Sequence, residues 1–315
     1  MALVLFGDSS MDSGNLDELA RSLGERRPFR NQRYDGSGNV KASDAYVVGE
    51  QVARRLGASS RRSPARLKSL ELINFSDQPL RRGLRDKDPD AEVYNFAVAG
   101  STTGKRGSRT ADLKDFKIGL KSQTALFAKS TRFVSPEIKP DIIIGAGSNN
   151  VLDFLTANES RIRRAVITPG SSGERSLAKK VARKVVADIA ESLDSITGLY
   201  DQAVILGTGK FSDLPRVREA SKGLKRVPLL GGSLSGEFRK FVDRISKEIN
   251  RRLEDQYNGG DEDDILVING LDAWKSAKKP EFVDSIHPTS KFNGKLADFV
   301  AEQIGSPSGL DSFGL

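Results

Sequence analysis

MALVLFGDSSMDSGN, residues 1–15, decides how the rest of the chain is read. Leu3 to Phe6 is an apolar run of strand length, Gly7-Asp8-Ser9 follows at once, and helical spacing begins near Asn15. A strand, a tight turn and a helix put Ser9 at the carboxyl end of a strand, where open α/β sheets bind their ligands. Short polar residues ahead of a helix also serve as caps. Asp8, Ser9 and Ser10 therefore keep a purely structural reading on this stretch alone.

The same grammar recurs downstream. Glu92 to Val98 predicts a second strand and ends in the small-residue turn Ala99 to Gly104. Pro140 opens a third, Ile142 to Ile144, which runs into Gly145 to Asn150; an apolar β-branched run of this kind suits a buried parallel strand. Ala203 to Leu206 and Ile265 to Ile268 predict the fourth and fifth. Helical spacing separates them: Leu16, Leu19, Ala20 and Leu23 behind a capping pair Asn15–Glu18, then Ala45 to Leu56 and Phe116 to Phe133. It continues in Leu177 to Ile196, Phe238 to Leu253 and Thr289 to Ile304. Five alternations of strand and helix predict one α/β domain over 1–305 with a doubly wound parallel sheet. Residues 25–43 read as a loop. Residues 57–90 read as an irregular basic insertion with one short apolar piece, Leu70 to Phe75, and 306–315 as a loose tail.

Composition narrows the chemistry. The 315 residues are 37% apolar, enough for a core at this length, and contain no cysteine and one histidine. Disulfide frameworks and thiolate sites are thereby excluded, and no zinc site is expected. No apolar run reaches membrane-spanning length, and mean hydropathy is −0.41. No secretory pattern precedes the strand at Ala2, so the expectation is a cytoplasmic protein or one that begins after a removed leader. The net charge of +8 comes from arginine-rich stretches at 26–33, 54–66 and 81–85. No aromatic interleaving or nucleic-acid module accompanies them, which predicts a solvated face or attraction to anionic interfaces rather than nucleic acid. Gly145-x-Gly147 lacks the third glycine of a dinucleotide fingerprint. Gly100 to Arg106 is too short for a phosphate loop, and Asp261 to Asp264 lacks calcium-loop spacing. No cofactor and no metal are expected. Oligomeric state is not legible.

Chemistry gathers at the strand ends. Ser9 follows the first strand, Gly100 the second and Asn149 the third. His287 follows the fifth in Asp284-Ser285-Ile286-His287-Pro288, a spacing that puts Asp284 and His287 on one side of a helical turn. The aspartate can then orient the imidazole and leave its other nitrogen as a base for a serine nucleophile. The Ser9 and Gly100 N–H groups and the Asn149 amide can hold an oxyanion.

The same residues carry a family resemblance. FGDSSMDSGN at 6–15 resembles FGDSLSDTGN, the first block of the SGNH, or GDSL, serine hydrolases. NFAVAGSTT at 95–103, GSNN at 147–150 and DSIHPT at 284–289 resemble the later blocks, the last two usually written GxND and DxxHP. The resemblance runs from residue 3 to about 304. It implies a flavodoxin-like three-layer α/β/α sandwich with a five-stranded parallel sheet in the order 2-1-3-4-5. It implies a Ser9–His287–Asp284 triad, an oxyanion hole of Ser9, Gly100 and Asn149, and ester hydrolysis through an acyl-enzyme. It also implies an extracellular or periplasmic home if a leader is removed. Ser10 stands where the family carries leucine, a packing variation. Asn150 stands where it carries aspartate, which predicts altered local hydrogen bonding rather than lost activity. Substrates in the family include acyl glycerides, phospholipids, thioesters and acetylated sugars, so a small-molecule or lipid ester is expected. A non-catalytic binding or surface protein on the same fold is the alternative.

Overall fold

The computed structural model describes residues 3–17, 43–56, 93–131, 139–224, 231–258 and 264–306. The loop read at 25–43 (all but Ser43), the basic insertion at 57–90 and the tail beyond Ser306 lie outside the described residues. Five strands form one sheet: β1 (Leu3–Gly7), β2 (Val93–Asn95), β3 (Asp141–Gly145), β4 (Ala203–Leu206) and β5 (Ile265–Ile268). Every neighbouring pair is parallel and the order is β2-β1-β3-β4-β5, the flavodoxin-like arrangement. Winding reverses between β1 and β3, so their carboxyl ends flank the crevice where such sheets bind ligands.

Alternation along the strands builds two cores. Val4, Phe6, Ile142, Ile144 and Ile205 face one side. They pack there on α2 (Leu120–Thr131), α3 (Ser148–Ala157), α4 (Glu159–Ile167), α5 (Ser172–Asp194), α6 (Pro215–Leu224) and α7 (Gly231–Tyr257). Leu3, Leu5, Ile143 and Val204 face the other side, covered by α1 (Val48–Arg55), α8 (Gly270–Ala277) and α9 (Ser290–Ile304). Strands covered on both faces read as near-continuous apolar runs, which is why β1 and β3 were legible. Local signals start the longer helices. The Ser171 hydroxyl accepts from the Glu174 N–H at 3.2 Å to begin α5, and Thr289 Oγ1 accepts from the Phe292 N–H at 3.2 Å to begin α9. No described helix is long and apolar enough to cross a membrane.

Two local expectations are corrected. β2 ends at Asn95, not Val98. Phe96 and Val98 still donate to Leu5 and Gly7 of β1, but the free edge is taken by side chains: Asn15 Nδ2 donates to the carbonyls of Asn95 (3.0 Å) and Ala97 (2.7 Å). Asn15 thus satisfies backbone carbonyls that no described strand pairs. Glu18 of the expected capping pair, with Leu19, Ala20 and Leu23, lies outside the described residues; ahead of Asn15 the Asp12 carboxylate accepts from the N–H groups of Gly14 and Leu16 at 2.7 and 3.1 Å. Asp284 to His287 is not a helical turn but a bend closed by a bridge between Phe282 and Pro288. Helices α3, α4, α6 and α8 were not predicted, because their short apolar stripes sit among polar and basic residues.

Candidate active site

Ser9 is presented by a turn fastened at both ends. Gly7 has φ +139°, and a Cβ there would lie 2.0 Å from the Gly145 carbonyl oxygen. Only glycine lets β1 and β3 stay paired to their last residues. The buried Gln123 clamps the same peptide: Gly7 N–H donates to Oε1 at 2.8 Å, and Nε2 donates back to the Gly7 carbonyl at 2.9 Å. Past it, Asp8 N–H donates to Gly145, and Asp8 Oδ1 accepts from the Ser10 N–H (3.1 Å) and hydroxyl (3.0 Å). Ser9 stands at the apex, half-buried.

The second and third motifs are tied to that turn. Asp12 Oδ2 accepts from Ala99 N–H at 2.7 Å, directly before Gly100. Gly100 has φ +80°, and a Cβ there would lie 2.5 Å from Leu113 Cδ1. The Ser101 hydroxyl donates to the Gly7 carbonyl at 2.6 Å. Asn149 lies in the first turn of α3, where the partial positive charge of a helix N-terminus gathers. Its Nδ2 donates one hydrogen to the Ser101 carbonyl at 2.9 Å. Asn150 Oδ1 accepts from Thr103 N–H and its Nδ2 donates to Thr103 Oγ1, both at 2.9 Å. The Thr103 hydroxyl is thereby left to donate to Asp188 at 3.0 Å. An aspartate at 150 would compete with Asp188 for that single proton, so asparagine suits this network.

In the last motif one carboxylate does two jobs. Asp284 Oδ1 accepts from the Ile286 and His287 N–H groups at 2.8 and 2.7 Å, shaping the bend. Oδ2 lies 2.7 Å from His287 Nδ1. The loop is braced by the Val283 N–H to the His287 carbonyl and by the Arg216 N–H of α6 to the Ser285 carbonyl, both 2.9 Å.

Ser9, Asn149 and His287 line one cavity of about 150 Å³, together with Asp8, Ser148 and apolar side chains of the β4 and β5 ends. Gly100 and Asp284 do not line it: Gly100 stands one residue before the Ser101 carbonyl that Asn149 holds, and Asp284 stands behind His287. Asp8 is 3% exposed and its Oδ2 is buried with no hydrogen-bond partner among the described residues. Burial pushes its pKa above the ordinary 3.8, against the lowering pull of Ser10, the nearby His287 charge and the Ser148 N–H. Sequence reading passed over Gln123 and Asp12. Among the described residues no cluster of three acidic or histidine side chains could hold a metal ion.

Comparison with known proteins adds one finding. The family model described as GDSL-like Lipase/Acylhydrolase matches residues 3–300, nearly the whole chain. No curated protein matches it.

Proposed function

The chain belongs to the GDSL-like lipase/acylhydrolase family, and on that premise we propose that it hydrolyses carboxylic esters through an acyl-enzyme formed on Ser9. The observation that carries the reading is the 2.7 Å contact between Asp284 Oδ2 and His287 Nδ1, on a histidine that shares its cavity with Ser9. A carboxylate at Nδ1 fixes the tautomer in which that nitrogen bears hydrogen, so proton transfer falls to Nε2. His287 takes the Ser9 hydroxyl proton as Oγ bonds to the ester carbonyl carbon. The carbonyl electrons move to oxygen, where the Ser9 and Gly100 N–H groups and the Asn149 amide stabilise the charge. Collapse breaks the bond to the alcohol, which leaves with the proton held by His287. Water then attacks the acyl-serine with His287 again as base, and the carboxylic acid departs as Ser9 regains its proton.

Turnover of p-nitrophenyl butanoate as a function of pH tests this. Ser9→Ala and His287→Ala should remove nearly all of it. Asp284→Asn should cost less than His287→Ala, because the base survives without its orientation. A His287→Ala variant with substantial activity and an unchanged pH profile would overturn the triad.

A further inference from the structure

The cavity beside Ser9 has two unlike halves. The sheet order sets the ends of β1 and β3, with Ser9, Asn149 and the neighbouring His287, on one side. The ends of β4 and β5 lie on the other. That second half is walled by Leu206, Phe211, Leu214, Trp274 and Ile286. Its one charged side chain, Lys210, is exposed and pairs with Asp213 at 3.6 Å. A polar group entering this half would lose water and find little in return, whereas an apolar chain would gain from burial.

One wall is held rigidly. The Trp274 indole N–H donates to Asp213 Oδ2 at 3.1 Å, and Asp213 is itself held by Arg218 at 3.0 Å. The ring packs edge-on against Phe292 with centroids 4.9 Å apart, and lies 6.2 Å from Phe282. On its face runs the backbone at Gly209, where even a Cβ would come within 2.5 Å of Cε3. The indole cannot swing aside without breaking these contacts together, so it is a fixed wall and not a flexible lid.

Resting on the assignment of Ser9 as nucleophile, we propose that this apolar half receives the acyl part of the ester and that Trp274 limits its length. Both halves together measure about 150 Å³, so the acyl chain can have at most roughly six carbon atoms, the size of a benzene ring. The substrates are therefore short-chain acyl esters, not long-chain lipids. Up to the limit each added methylene should raise kcat/KM roughly fourfold, the equivalent of one buried methylene. Beyond it the chain meets the indole.

The test measures kcat/KM of the full chain on p-nitrophenyl esters from acetate to dodecanoate, with two variants that move the wall in opposite directions. Wild type should peak near hexanoate and fall about tenfold or more by decanoate. Trp274→Ala should shift the peak to longer chains and raise the decanoate-to-butanoate ratio about tenfold. Ala273→Leu, on the same helix and also lining the cavity, should fill it and shift the peak to acetate or propionate. If Trp274→Ala does not fold, Ala273→Leu decides alone. A wild-type profile that climbs unbroken to dodecanoate, or a folded Ala273→Leu with the wild-type optimum, overturns the proposal. Absence of turnover on every ester together with an unreactive Ser9 would remove the nucleophile assignment and this inference with it; turnover with a different length profile would remove the inference alone.

Discussion

Asn149 donates one amide hydrogen to the Ser101 carbonyl, and on the proposed mechanism the other goes to the oxyanion. Removing one oxyanion donor costs about 10²–10³ in turnover. Asn149→Ala should therefore depress kcat by that order with a much smaller change in KM; a rise in KM alone would make Asn149 a binding residue. Asp8 tests the neighbouring electrostatics through stability. Its folded pKa is raised by burial, so the folded state binds the proton more tightly than the unfolded chain does. Stability is then lost as pH rises from the unfolded value of 3.8 toward the folded one. Asp8→Asn keeps an oxygen for Ser10 and removes the charge. It should gain melting temperature relative to wild type as pH rises from acid to neutral; a constant difference across that range would contradict the shift. Ser9 and Asn149 were legible as candidates because each stands in a short motif directly after a strand, and His287 because it is the one histidine and stands in a DxxHP setting. Gln123 was not, because it holds Gly7 from 116 residues away and nothing local marks it.

At the level of elements, α2, α5 and the loop after β2 are joined by Asp188. Its carboxylate pairs with Lys121 of α2 at 2.6 Å and Lys184 at 3.0 Å, and accepts from Thr103 at 3.0 Å. Burial raises its pKa, but the hydrogen bonds and charges of Lys121 and Lys184 outweigh it and the net shift is downward. With the folded value below 3.8, this stabilisation is complete above 3.8 and is lost as pH falls through the folded value. Asp188→Asn should melt below wild type at neutral pH, and the gap should close under acid conditions. A gap that stays open at low pH would mean the loss is one of packing. The element scale is also where spacing misleads. Asp284 and His287 are three residues apart in a helical turn or in an aspartate-shaped bend alike, and only the hydrogen bonds to Ile286 and His287 distinguish the two. Likewise Ser148-Asn149-Asn150 has the composition of a turn, yet it opens α3, because Val151 and Leu152 behind it are drawn into the core.

Across the whole molecule, one sheet gathers four sequence-distant motifs at one end, and the pairing of Gly7 with Gly145 fixes their spacing. Strand order was legible through the family resemblance, since five buried strands of similar composition do not by themselves specify neighbours. The wall formed by α8 and the loop after β4 was not legible, because Trp274, Gly209 and Asp213 come together only in the fold. The net charge of +8 belongs to this scale too. We expect salt-sensitive binding to vesicles of anionic lipid, weakening as ionic strength shortens the screening length; salt-independent binding, or sequence-dependent nucleic-acid binding, would argue against it. The central claim is that Ser9 is a nucleophile activated by His287, and active-site labelling reaches it most directly. Treatment with a fluorophosphonate, followed by intact mass and peptide mapping, should give a single adduct on Ser9, absent in Ser9→Ala and strongly slowed in His287→Ala. A folded protein that stays unlabelled, or an adduct on another residue that persists in Ser9→Ala, would contradict it.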